Sequence, residues 1–120
     1  MKTSEMTGAA LDWAVAKCEG ATDAWRSGAP FLWDGVPCIR IYGHDVDYTP
    51  STNWAQGGPI IERERIDVLY EHDLRWIAVP QKGIESYGPT PLIAAMRCFV
   101  ASKLGDEVEI PEELNQGESK

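Results

Sequence analysis

The chain has 120 residues, 43% hydrophobic and 25% charged, so it can bury a core of its own and is not a disordered segment. Nineteen acidic side chains against eleven basic ones give a net charge of −8. That balance disfavours wrapping of a DNA or RNA backbone, an affinity built on Lys and Arg displacing counterions, and no direct nucleic-acid partner is expected.

Thr7 to Glu19 reads as the first helix. Thr7 can cap its N-terminus, Leu11, Ala14, Val15 and Cys18 recur on one face, and Gly20 suits the C-terminal cap. Trp13 stands off that stripe beside Met6, Ala10 and Lys17. It either flanks the core or turns its ring to a pocket or a partner subunit. Residues 21–35 have no clean period and read as connection, with a short strand at Phe31 to Trp33 and a turn at Asp34-Gly35. Val36 to Tyr42 alternates as a strand, and Gly43-His44-Asp45 turns the chain.

Asp47 to Glu62 is the stretch around which the chain is expected to be organised. It holds Tyr48, Ser51, Thr52, Trp54, Gln56 and the pair Gly57-Gly58 before Pro59. Pro suits the first helical position, so Gly57-Gly58-Pro59 reads as a loop delivering the chain into a helical turn at Ile60 to Arg63. Glycines let N–H groups face a ligand without a Cβ, and a helix N-terminus favours an anion. Read plainly, the same residues also make an ordinary surface loop, with Trp54 as a plug over the core.

Ile66 to Glu71 and Arg75 to Val79 alternate as two strands of an antiparallel hairpin, joined by His72-Asp73-Leu74. Pro80 to Gly88 reads as an exposed loop. Thr90 to Leu104 carries the clearest helix signature: Thr90 caps, Pro91 opens, and Gly105 follows the end. Its apolar stripe is Leu92, Ala95, Met96, Phe99 and Val100, with Lys103 at the margin. Asp106 to Leu114 is acidic with anchors at Val108, Ile110 and Leu114, as for a short extended piece and a turn. The fold expected is α+β, a small mostly antiparallel sheet covered by two main helices, as one domain over residues 1–114 with a frayed tail at 115–120.

Chemistry-bearing residues are sparse. Cys18, Cys38 and Cys98 form no CxxC pair, so neither a zinc site nor a disulfide framework is expected, and a reducing cytoplasm suits them. His44, Asp45, Asp47 and the pair His72-Asp73 lack metal-ligand spacing, so no metal and no cofactor are expected. Ser51, Ser86 and Cys38 sit in no activated-nucleophile motif, and no catalytic residues are assigned. The opening residues lack a leader's apolar run, and no stretch approaches the roughly 20 residues that cross a bilayer. Glu62-Arg63-Glu64-Arg65 is either a self-neutralised turn or a source of an arginine aimed at an anion.

What remains is binding. Tyr48, Trp54 and Trp13 offer ring faces, Ser51 and Thr52 hydroxyls, Gln56 an amide, and Gly57 and Gly58 backbone donors. Stacking contributes roughly 1–3 kcal/mol per base and a bond to a charged group about 1.5–3 kcal/mol, against about 8 kcal/mol for a micromolar site. Such a set is therefore enough for a nucleotide-type or phosphorylated ligand, if it converges.

The stretches Thr3-Ser4-Glu5, Thr7 to Lys17, Tyr48 to Arg63 and Gly88 to Arg97 resemble the NinX-like proteins of lambdoid phages, least so between Ala21 and Val46. The resemblance implies a phage accessory protein of the host cytoplasm and supplies no catalytic residues. Together with the organising loop, it leads to the expectation of a non-enzymatic protein that binds, and sequesters, a nucleotide-type host-defence signal. The surplus of tryptophans points to a homo-oligomer. One alternative is an acidic module that docks on a host protein through Glu107, Glu109, Glu112 and Glu113. Another is a nucleotide-processing enzyme with Glu62 or Asp47 as base.

Overall fold

The computed structural model describes residues 1–19, 26–73 and 75–115, with 26–29 and 115 described by backbone alone. The cap expected at Gly20, the turn residue Leu74 and the tail from 116 onward lie outside the described residues. After a short 3-10 turn at Thr3–Glu5 come α1 (Gly8–Glu19), β1 (Arg26–Trp33), β2 (Val36–Ile41), β3 (His44–Asp47), α2 (Trp54–Glu64), β4 (Asp67–His72), β5 (Arg75–Val79), β6 (Ser86–Gly88), α3 (Pro91–Leu104) and α4 (Glu112–Asn115). The fold is α+β, as expected, and every strand pair is antiparallel.

The strands divide into two three-stranded sheets, β1-β2-β3 and β4-β5-β6, separated in the chain by α2. β1 begins earlier than the short strand expected there, and β3 and β6 occupy segments that read as a turn and a loop. Asp34-Gly35 does turn the chain between β1 and β2, with φ of 53° and 79°. The second turn falls at Tyr42-Gly43, with φ of 51° and 80°, one residue earlier than expected. That frees His44–Asp47 to pair with Cys38–Ile41. β6 forms because Ser86, Tyr87 and Gly88 pair with Ala78, Ile77 and Trp76 along the edge of β5.

α1 packs on β1 and β2, α3 packs on β4, β5 and β6, and the two helices pack on each other. Phe99, Met6, Leu11, Ile60, Met96, Val15 and Val100 are fully buried between these layers. Each such side chain contributes about 1.5–3 kcal/mol from burial. The N-terminus is tied across the fold: the Met1 amino group donates to the Val108 carbonyl at 3.0 Å, and the Thr3 hydroxyl donates to the Gly105 carbonyl at 2.7 Å.

α3 ends and begins as its sequence dictates. Thr90 Oγ1 accepts the Ile93 N–H at 3.1 Å, Pro91 takes the first position, and Gly105 follows with φ 88°. α2 corrects the expected loop. It starts at Trp54, where Asn53 Oδ1 accepts the Ala55 N–H at 2.9 Å, and runs through Gly57, Gly58 and Pro59. A proline in this position has no N–H for the Ala55 carbonyl, a defect of about 3 kcal/mol in an isolated helix. Packing offsets it, since Ile60 is buried against the core one residue later. The helix closes at Arg65, in the left-handed conformation with φ 55°.

Candidate functional site

The residues singled out from the sequence do not share one hollow. Gly57 and Gly58 form no anion nest. Gly57 is buried in α2, and its N–H donates to the Asn53 carbonyl at 2.8 Å. A Cβ there would lie 2.5 Å from the Pro50 carbonyl oxygen and 2.7 Å from Leu92 Cδ2, so this glycine serves close packing. Around Gly58 the nearest neighbour of a Cβ would be the Trp54 ring, at 3.9 Å.

Trp54 is not a plug: 56% of its surface is exposed. With Ser51 and Thr52 it borders a shallow hollow of about 260 Å³ against Thr90 to Ile93. Trp13, half-buried and packed on the core, borders a different hollow with Met1, Lys17 and Ile110. Ser51 is a structural residue. Its N–H donates to Asp12 Oδ1 at 2.8 Å, and both residues are buried. Burial pushes the Asp12 carboxyl up to about 6, against the lowering pull of the Ser51 N–H. The buried Ser51 hydroxyl forms no hydrogen bond within ordinary limits, though it is near enough to the carboxylate to pull the same way. Sequence alone does not single out Asp12, because its partner lies 39 residues further along the chain.

Tyr48 and Gln56 do meet, in a cleft of about 570 Å³ between the end of α1, strand β2, α2 and α3. Ile39, Ile41, Pro59, Ile60 and Phe99 make its apolar walls. Tyr48 is mostly buried and contributes to the floor. Gln56 Oε1 accepts the Thr49 N–H at 2.7 Å, and Gln56 Nε2 donates to the Asp47 carbonyl at 2.9 Å. The amide thus fixes the backbone on both sides of Tyr48.

The cleft rim is charged. Arg63 donates to both carboxylate oxygens of Glu19, at 2.7 and 3.1 Å, and through Nε to Glu64 at 2.9 Å. Lys103 Nζ lies 3.7 Å from Glu64. Hydrogen bonding to Glu19 pushes the Arg63 guanidinium further up, so it is a permanent cation. Its centre stands 5.6 Å from the Phe99 ring centroid, and Lys103 Nζ stands 5.9 Å from it. Of the Glu-Arg-Glu-Arg run, Arg63 therefore does turn toward a hollow, held by carboxylates.

The three cysteine thiols are not activated here. Burial pushes the Cys18 thiol up to about 12 and the Cys98 thiol up to about 11, and burial with Asp47 beside it raises Cys38 as well. Among the described residues, no three His, Cys, Asp or Glu side chains gather as a metal site would need. No described helix is long and apolar enough to cross a membrane.

A family model described as "Bacteriophage P22, NinX" matches residues 2–103, including the segment between Ala21 and Val46. No curated protein matches the chain.

Proposed function

The chain belongs to the bacteriophage NinX family, and we propose that it binds a small nucleotide-type or phosphorylated ligand in the cleft over Tyr48 and Phe99, without transforming it. The observation that carries this is the composition of one hollow: apolar walls from Ile39, Ile41, Pro59, Ile60 and Phe99, edged by Arg63 and Lys103 with Glu19 and Glu64 between them. Its volume lies in the range of about 300–1,000 Å³ usual for small-molecule sites. A ligand phosphate can replace Glu19 at the fork of Arg63, which matches phosphate as well as carboxylate. The phage setting suits a protein acting in the host cytoplasm that holds back a nucleotide signal used in defence. Thermal-shift screening against a nucleotide library, with cyclic and ADP-ribose derivatives, tests this, since a ligand that prefers the folded state raises the melting temperature. The ligand should be recovered unchanged after denaturation. No response to any nucleotide contradicts the proposal, and recovery of an altered ligand replaces it with an enzyme.

One observation favours a second reading. Glu107, Glu109, Glu112 and Glu113 all remain exposed along the final segment, as an acidic docking surface for a basic host protein requires. Such docking weakens steeply with ionic strength and, unlike ligand binding, is indifferent to substitutions of the cleft residues.

A further inference from the structure

Beside the cleft lies a second hollow, of about 380 Å³, between the end of α2, the loop after β5 and α3. Arg63, Arg65, Lys82 and Lys103 line it, and Glu64 is the one acidic residue among its lining. Four of the eleven basic side chains of a chain with net charge −8 thus surround one small space. Gln81 Nε2 donates to the Arg65 carbonyl at 3.0 Å, which pins the loop carrying Lys82 against the end of α2. Arg63 and Lys103 are engaged by Glu64, whereas the Arg65 and Lys82 side chains pair with no carboxylate among the described residues. Like charges held together in a concave site raise the local concentration of anions. Arg63, Glu64 and Lys103 are common to both hollows, which therefore adjoin along one rim.

On the reading that the cleft takes a nucleotide-type ligand, we infer that this basic hollow is its phosphate subsite and that the ligand carries two or more linked phosphates. The ring lies on the Phe99 side of the shared rim. The phosphates lie on the Lys82 side, neutralised by Arg65 and Lys82.

Calorimetric titration of the full chain with the mono-, di- and triphosphates of the four ribonucleosides, and with tripolyphosphate alone, tests this. Affinity for the preferred nucleoside should rise about tenfold or more with each added phosphate, as charge-assisted bonds to Arg and Lys accumulate. Lys82→Glu, and more mildly Lys82→Gln, should erase most of that gain, with circular dichroism and melting temperature confirming the fold. A monophosphate that binds as tightly as its triphosphate, or a gain that survives Lys82→Glu, overturns the subsite and leaves the cleft reading standing. Tripolyphosphate that binds as tightly as every nucleotide supports the subsite and overturns the cleft reading. Absence of binding by all these probes overturns the subsite, and the cleft reading falls with it only where the whole nucleotide library of the thermal screen is also silent.

Discussion

Gln56 clips the backbone on either side of Tyr48, accepting from the Thr49 N–H at 2.7 Å and donating to the Asp47 carbonyl at 2.9 Å. One side chain of α2 therefore sets the height of the cleft floor. Gln56→Ala leaves both backbone groups without their partner. It should destabilise the fold by about 1–3 kcal/mol, read as a lower urea midpoint. Nucleotide affinity should fall further than Gln56→Glu makes it fall, because the glutamate keeps the acceptor for Thr49.

The two glycines of α2 should respond oppositely to the same change. Gly57→Ala places a methyl group 2.5 Å from the Pro50 carbonyl oxygen, a backbone atom that cannot swing away. Overpacking of this kind costs about 1–3 kcal/mol. Gly58→Ala meets nothing closer than the Trp54 ring at 3.9 Å and should stabilise the helix by up to about 1 kcal/mol. Thermal melts of the two variants check this; a destabilised Gly58→Ala and a neutral Gly57→Ala would restore the expected loop in place of the helix.

Asp12 gives stability a pH dependence of definite sign. Its carboxyl is pushed up by burial from the ordinary 3.8 to about 6, so the folded chain holds this proton more tightly than the unfolded one. The contribution is most favourable below about pH 4, is lost as pH rises toward about 6, and is constant above; two units correspond to about 3 kcal/mol. Asp12→Asn keeps an oxygen for the Ser51 N–H and removes the buried charge. Relative to the parent it should gain stability as pH rises from about 4 to 6, measured by denaturant titration at each pH. Asp12→Ala, which leaves the buried Ser51 N–H without an acceptor, should be less stable than Asp12→Asn throughout.

The parts of this fold that were legible in the sequence carry local signals. Thr90, Pro91 and Gly105 mark the ends of α3 within their own segment, and the alternation of Val68 and Tyr70 with Leu69 and Glu71 marks β4. β3 was missed because His44, Asp45 and Asp47 surround a single apolar residue, Val46, and its reason for being a strand is its pairing with β2. Gly57-Gly58-Pro59 argued for a loop, and only the packing of Gly57 on Pro50 and Leu92, with Ile60 behind, makes that stretch helical. The candidate site was partly legible for the same reason. Tyr48 and Gln56 are close in the chain and meet in the cleft, and Arg63 is the arginine that faces it. Phe99 and Lys103 come from α3, whose stripe showed an apolar face but not which hollow it would border. That Arg65 and Lys82 line one hollow has no counterpart in the linear pattern.

Trp54 and Trp13 separate the cleft from its competitors, since each borders a different hollow. The most direct measurement is amide chemical-shift mapping of the isotope-labelled chain while the best-binding nucleotide of the thermal screen is titrated in. Shifts should gather at Ile39, Ile41, Gln56, Arg63 and Phe99, and Trp54→Ala should leave the affinity within about twofold, in line with an exposed residue outside the site. Saturable shifts centred on Trp54 or Trp13, with the amides around Tyr48 and Phe99 unmoved, would contradict the placement of the ligand in this cleft.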